Sequence, residues 1–464
     1  MKKIYKYLLT STLVIISIAL HAQKQTPPVG GTPKNFILPA KETKLLENGI
    51  KATFVEYGAI PKVNISLIIK TGNIHEKADQ VWLADLTGNL LKEGTATLDF
   101  TTISKKVAAM GGEIDVSTGI DQTIISGSVL SEYAGDLIAI IGDLVMNPSF
   151  PESEIERLKN DLKRQLDVQK SRSQLLAAEK FFKIIYPDHP YGRYFPTEEM
   201  LNTYTINMVK EFYRNNFGAQ RSVLYVVGKF NEKLASKAFE ETFSTWIEGP
   251  EINYPPAIAN RTNEISIIER AGAPQTTVYI GLPINITPQD PDFIALNITN
   301  SLLGGSFSSR ITSNIREDKG YTYSPESTVQ IRKDAAVWYE QADVATEYTG
   351  ASLMEIAKEI KRLQKEIPSE KELEGIQNYA AGLFVLRNST PDGIIQQLNF
   401  IDLHGLEDSY LTDRVKNIYA VTPDMVSLIT RNYIKYEDMT IVLVGDQEEI
   451  EKQKETIEES RKLQ

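Results

Sequence analysis

The sequence predicts an α+β chain built as two homologous tandem domains, each a mainly antiparallel sheet with helices packed on one face. Three observations carry that expectation. In each half strand-like runs come first, amphipathic helices follow, and an apolar strand closes the unit. The second half repeats landmarks of the first at a nearly constant displacement. A proline-containing stretch, residues 248–263 with Pro250, Pro255 and Pro256, separates the two.

Lys2, Lys3 and Lys6 precede a short apolar run from Leu8 to Leu20, and Ala22 offers a small residue for cleavage, so residues 1–22 read as a secretory signal. The run is shorter than the roughly 20 apolar residues of a comfortable span, so no membrane span is expected once the signal is removed. Residues 23–34, with Pro27, Pro28, Gly30, Gly31 and Pro33, read as a flexible leader. Cysteine is absent, which excludes a lipid-modified N-terminal Cys and any disulfide. The periplasm of a Gram-negative bacterium is the expected compartment.

The first domain is expected over residues 35–247. Ala52 to Val55, Val63 to Lys70, Glu113 to Ser117 and Thr123 to Leu130 alternate or cluster apolar residues as strands do, with a helix at about Gln80 to Leu91 between them. Ile155, Leu158, Leu162 and Leu166 then recur at helical spacing. The second domain, 264–464, carries the matching stripe Leu353, Ile356, Ile360, Leu363 and Ile367, and its tail from Gln447 reads as a solvated charged helix. Both stripes read as core packing.

Thr205, Met208 and Val209 open one helix, and Thr422, Met425 and Val426 open another 217 positions later. Val227-Gly228 and Val444-Gly445, and the helix starts Pro151-Glu152 and Pro368-Ser369, keep the same displacement. Leu90-Leu91 and Leu302-Leu303 stand 212 apart, which places a small indel between.

Composition narrows the function. A formal net charge of -11 gives no broad attraction to nucleic acid or anionic lipid. Gly304-Gly305 is followed by no Lys-Ser/Thr at phosphate-loop spacing and by no dinucleotide glycine pattern. Ser306 and Ser308 lie outside a Gly-x-Ser-x-Gly elbow.

The segment Trp82-Leu-Ala-Asp-Leu-Thr-Gly-Asn-Leu-Leu-Lys-Glu-Gly-Thr95 resembles the hallmark of the insulinase-like (pitrilysin-type) zinc peptidases, Gly-Leu-Ala-His-x-x-Glu-His followed by Lys-Gly-Thr. Gly111-Gly112 before a strand, Asn147-Pro148-Ser149-Phe150, Asp188-His189-Pro190-Tyr191-Gly192 and the duplication extend the resemblance over nearly the whole mature chain. In that family two histidines four apart bind zinc from one helix face, and the Glu between them is the general base. Here those positions read Asp85, Gly88 and Asn89. Asp85 can touch a cation, Gly88 has no side chain to move a proton, and Asn89 is a poor ligand beside imidazole. The family's third ligand, a Glu on the helix after Phe150, falls near Leu158, Arg164 and Gln165.

The remaining histidines of the mature chain, His75, His189 and His404, are far apart in sequence. His75 with Asp79 reads as a surface pair on a helix, and His189 as part of a Pro-flanked turn. No metal site and no cofactor are therefore expected in this chain.

The second half retains what the first has lost. Leu302-Leu-Gly-Gly-Ser-Phe-Ser-Ser-Arg-Ile-Thr-Ser-Asn-Ile-Arg-Glu-Asp-Lys-Gly-Tyr-Thr-Tyr-Ser324 resembles the family's C-terminal signature, and Arg316 and Tyr323 fall on its Arg and Tyr. The resemblance implies that this pair reaches towards the substrate backbone at the zinc, where a guanidinium and a phenol stabilise a developing oxyanion. Without that resemblance, Arg316 would read as a cap of its helix C-terminus and Tyr323 as the start of a strand.

Together these features imply a non-zinc-binding subunit, inactive alone, that works beside a homologous zinc-motif partner as a heterodimer on unfolded peptide. Zinc is expected in the partner. The strand Glu113, Ile114, Asp115, Val116, Ser117 is expected to offer its edge to the peptide, as its family equivalent does. The competing expectation is a catalytically silent assembly protein of the same fold. A self-sufficient enzyme using Asp85 is the third.

Overall fold

Strands that must be covered on both faces read as unbroken apolar runs, and the central strands here do: Ser222–Gly228 and Thr440–Gly445 are buried along their whole length. The structure, a computed structural model, describes residues 34–463; the expected signal 1–22 and residues 23–33 of the leader lie outside them.

The first sheet contains β1 (Lys41–Leu45), β2 (Lys51–Glu56), β3 (Lys62–Ile69), β4 (Glu113–Thr118), β5 (Thr123–Leu130) and β6 (Ser222–Gly228) in the order β1-β2-β6-β3-β5-β4. The second contains β7 (Ile265–Glu269), β8 (Gln275–Pro283), β9 (Glu326–Arg332), β10 (Ala335–Ala345) and β11 (Thr440–Gly445) in the order β7-β11-β8-β10-β9. Only β2–β6 and β7–β11 pair in parallel; every other pairing is antiparallel. Apart from β1, the two sheets match strand for strand. The repeat seen in sequence is thus a repeat of topology.

Each half lays its own helices on one face of its sheet, and those helices share the sheet's core cluster. The opposite face is covered from the other half. The helix Ser173–Ile185 of the first half packs on β8 and β11 of the second, with Phe181 and Phe182 buried against Tyr279 and Val442. Reciprocally, Pro391–His404 packs on β3 and β6, where Ile394, Ile395 and Leu398 cover Val223, Tyr225 and Val227. The two crossing helices are the same element of the repeat, since each follows the long helix of its half (Ile155–Lys170 and Glu370–Arg387).

Polar contacts pin the exchange. Asp402 on the crossing helix accepts from Lys51 Nζ at 2.6 Å and from the buried Tyr225 hydroxyl. The side-chain amides of Gln122 and Asn399 pair at 2.9 and 2.8 Å. Residues 247–264 form no regular element. This segment is held at Asn260, whose N–H donates to Ile185 O at 2.7 Å. It is held again at Pro255, whose carbonyl faces His189 Nε2 at 3.1 Å.

The tail differs from the expected solvated helix. It forms two helices, Gln447–Glu451 and Lys454–Arg461, and the second packs on Thr349–Lys365. Ile457 and Ser460 are buried there, and the Ser460 hydroxyl meets Tyr436 Oη at 3.0 Å. The tail's charges are a solvent face over an apolar stripe.

Candidate functional site

The helix Leu83–Lys92 carries the hallmark segment. Leu83, Leu86 and Leu90 set its apolar stripe, and Gly88 and Leu91 are buried on the neighbouring face. It begins at Trp82, whose φ of 69° puts a bulky residue in the left-handed region and leaves no local side-chain cap. The cap comes from a distance: Glu76 Oε1 accepts the Ala84 N–H at 2.7 Å.

That cap belongs to an acidic pair, Glu76 buried and Asp85 half-buried. Asn73 Nδ2 donates to Glu76 Oε1 at 3.1 Å and to Asp85 Oδ2 at 2.6 Å, so one amide bridges two carboxyls. Burial, with the neighbouring Asp85 charge adding to it, pushes the Glu76 carboxyl up to about 8. Burial likewise pushes Asp85 up to about 6, against the stabilising bond from Asn73.

Gly88 faces β4 at close range. A β-carbon built there would run into Thr118 Oγ1 and touch Val116 Cγ1 at 3.7 Å. A side chain at the position that holds the general base in the zinc peptidases would therefore have to displace the Thr118 hydroxyl. Asn89, one residue on, is half-buried.

The expected third-ligand positions are no better placed. Leu158 is in the core, Arg164 ion-pairs with Asp161, and Gln165 is exposed. His75 is not paired with Asp79 on a helix, as its spacing suggests. It ends the short turn Asn73–His75, half-buried, with its ring against Tyr254 and its Nε2 at 2.8 Å from Arg221. His189 Nδ1 accepts the Tyr191 N–H at 3.1 Å, which leaves Nε2–H to donate to Pro255, a structural role. Among the described residues no group of three or more His, Cys, Asp or Glu is placed to hold a metal ion. The residues on the motif helix do not fit a zinc ion: one carboxylate, already engaged by an amide, stands where two histidines and a base are needed.

β4 is the free edge of its sheet, with Glu113, Asp115 and Ser117 exposed, Ile114 half-buried and Val116 buried. Its inner face lies against the motif helix, and Lys92 Nζ ion-pairs with Asp115 at 2.5 Å. The structure thus brings Asp85, Gly88 and Asn89 together with the strand Glu113 to Ser117.

Arg316 and Tyr323 lie in the second half, on separate supports. Arg316 sits on a short π-helical segment, Thr312–Asp318, a wider turn than sequence spacing reveals. The segment is anchored just before its start and near its middle: Arg310 meets Glu372 through Nε at 2.7 Å and Nη2 at 2.9 Å, and Asn314 reaches Glu359 at 2.8 Å. Tyr323 precedes β9 in an irregular stretch rather than starting a strand, and is 78% exposed. The Arg316 guanidinium carbon stands 4.7 Å from the Tyr323 ring centroid and 4.6 Å from that of Phe307. Its Nε side pairs with Glu317 at 3.2 Å, and its terminal nitrogens donate to nothing among the described residues. Phe307 lay within the quoted signature, but spacing alone assigned it nothing.

The fold and motif remnants define an insulinase-type architecture, and comparison with known proteins agrees. Residues 55–195 match the family described as insulinase (peptidase family M16), and residues 203–379 match the peptidase M16 inactive domain. The chain belongs to this insulinase-like M16 family. It is 25% identical over 327 residues to an uncharacterized zinc protease of Rickettsia bellii, covering 70% of this chain and 79% of that protein. It is 20% identical over 400 residues to a Helicobacter pylori protein named non-peptidase homolog YmxG, covering 86% and 92%. A crystal structure of a peptidase M16 inactive domain from Pseudomonas fluorescens shares the fold, with a TM-score of 0.80 and 23% identity over 88% of this chain and 98% of that one.

Proposed function

We propose that this chain is the non-zinc-binding subunit of a periplasmic insulinase-like metallopeptidase, lending Arg316 and Tyr323 to the zinc site of a homologous partner. The observation that carries the reading is the state of Arg316. A permanently charged guanidinium lies within cation–π distance of two aromatic rings on an anchored support, and its terminal N–H donors have no partner among the described residues. Donors fixed in advance at a surface suit a carbonyl oxygen that gains charge as it becomes tetrahedral, because no reorganisation is then needed. With no side chain at Gly88 to act as base, the water-activating half of the reaction falls to the partner. The exposed edge of β4 supports extended peptide as the substrate form.

A silent assembly role is the second reading, and the non-peptidase name of the Helicobacter pylori relative favours it. The two separate on one experiment: cleavage of an internally quenched, unstructured peptide by this chain, by a homologous chain with an intact zinc motif, and by their mixture. Split catalysis predicts activity confined to the mixture. It also predicts a loss of kcat of about 100-fold or more with Arg316→Ala while the complex still forms. Silence in every mixture, with stable complex formation, favours assembly.

A further inference from the structure

Phe307 is an anomaly on the second half's surface, a phenylalanine 67% exposed at the tip of a turn made otherwise of glycine and serine. Its place is dictated by its neighbours rather than by its own burial. At Gly304 a β-carbon would come within 2.5 Å of Ser327 Oγ and 2.6 Å of Glu340 Oε2, and at Gly305 within 2.5 Å of Asn300 Nδ2. The turn therefore lies flush against β9 and the helix Asp292–Leu303. Ser327 N–H donates to Gly304 O at 3.2 Å, and Ser309 N–H to Ser306 O at 3.1 Å. Ser309, fully buried, hydrogen-bonds Thr312 Oγ1 at 2.9 Å and so ties the turn to the segment that carries Arg316. With Ser306 and Ser309 turned inward, Phe307 is thrown outward over the guanidinium.

We propose that Phe307 is a positioning residue for Arg316, the second wall of an aromatic slot whose first wall is Tyr323. The proposal rests on the reading of Arg316 as a group that meets substrate. A guanidinium at a surface samples many rotamers, and two rings within 4.6 and 4.7 Å narrow that range through its attraction to their π-clouds. Glu317 occupies the Nε side and leaves the terminal nitrogens without a partner among the described residues. Phe307 touches no reacting atom; it fixes the angle at which Arg316 arrives.

The test uses Phe307→Ala, Phe307→Leu and Phe307→Tyr in the full-length mature chain, mixed with the zinc-motif subunit and assayed on the quenched peptide. Positioning predicts that Ala and Leu each lower kcat by about tenfold with KM within about twofold, and that Tyr, which keeps the ring, restores it. It also predicts no further loss when Phe307→Ala is added to Arg316→Ala. A Leu variant as active as the parent, a rise in KM alone, or additive losses would overturn it. A second measurement is independent of any partner: the ring-current shifts of the Arg316 δ-methylene protons in the chain alone. They are expected to relax towards ordinary values in the Ala and Leu variants and to persist in Tyr. Unchanged shifts in Phe307→Ala overturn the slot even where every mixture proves inactive, whereas relaxed shifts in inactive mixtures overturn only the catalytic reading of Arg316.

Discussion

Gly88 on the motif helix and Thr118 on the edge strand stand so close that the Thr118 hydroxyl oxygen occupies the space a side chain at Gly88 would need. A base placed at Gly88 would therefore have to turn the Thr118 side chain aside. Rewriting Asp85→His, Gly88→Glu and Asn89→His alone is expected to lower the melting temperature and to yield no stoichiometric zinc. Adding Thr118→Ala relieves the overlap and is expected to restore stability. Zinc content by elemental analysis and a thermal melt of both variants decide it; full zinc occupancy in the first variant would show that the strand moves aside at little cost.

The acid pair of Glu76 and Asp85 makes stability depend on pH in an unusual direction. Glu76 keeps its proton up to about 8 in the folded chain, whereas a free Glu releases it near 4.5. Between those values the folded state binds a proton the unfolded chain has lost, so stability falls as pH rises through that window. Asp85, up at about 6 against an ordinary 3.8, adds a slope of the same sign at the acidic end. Glu76→Gln keeps the acceptor for Ala84 N–H and removes the ionisation. Urea denaturation from pH 4 to 9 is expected to show the variant's curve flatter by up to about 1.4 kcal/mol per pH unit between 5 and 8. Parallel curves for parent and variant would rule out a buried proton at Glu76.

At the crossing helix, Asp402 serves Lys51 and Tyr225 unequally. Lys51 keeps about a third of its side chain in solvent, so its ion pair adds little, whereas Tyr225 is fully buried and has Asp402 as its hydroxyl's partner. Asp402→Ala strands that hydroxyl and is expected to cost about 1–3 kcal/mol. Tyr225→Phe in the same chain removes the stranded group and is expected to recover much of the loss, whereas Lys51→Ala alone is expected to cost under about 1 kcal/mol. The double-mutant cycle measures this coupling; additivity of Asp402→Ala and Tyr225→Phe would assign the cost elsewhere.

Much of this architecture is legible in the sequence, for physical reasons that differ by element. β4 and the motif helix show their periods because one face of each is more fully covered than the other, whereas β3 reads as an apolar run because both its faces are covered. The departures from the zinc motif at Asp85, Gly88 and Asn89 are legible too, since they are residue types at fixed spacing. β1 was missed: Lys-Glu-Thr-Lys-Leu is polar on both sides because it is an exposed edge. The tail misled because its charges outnumber the few residues that pack. Glu76 as a helix cap, and Phe307 as a wall of the Arg316 slot, depend on contacts between separate segments, which no local period encodes. The same limit hid the crossing helices. An amphipathic helix announces that it covers an apolar face but not which sheet owns that face.

That exchange has a consequence for the two halves as units. On its own, a fragment of residues 35–247 would leave Val223, Tyr225 and Val227 without the cover of Ile394, Ile395 and Leu398, and would expose Phe181 and Phe182 in turn. Large apolar side chains each contribute about 1.5–3 kcal/mol when buried, so uncovering several at once removes as much as a domain's whole margin of stability. Fragments 35–247 and 248–464 are therefore expected to bind a hydrophobic dye and to melt without a sharp transition when prepared singly. Mixed, they are expected to regain a cooperative melt and a 1:1 complex, because the swapped helices supply each other's missing face. Calorimetry on the single fragments is the deciding measurement. A sharp, dye-free transition in either one would mean that the halves fold independently and that the crossing helices only dock them.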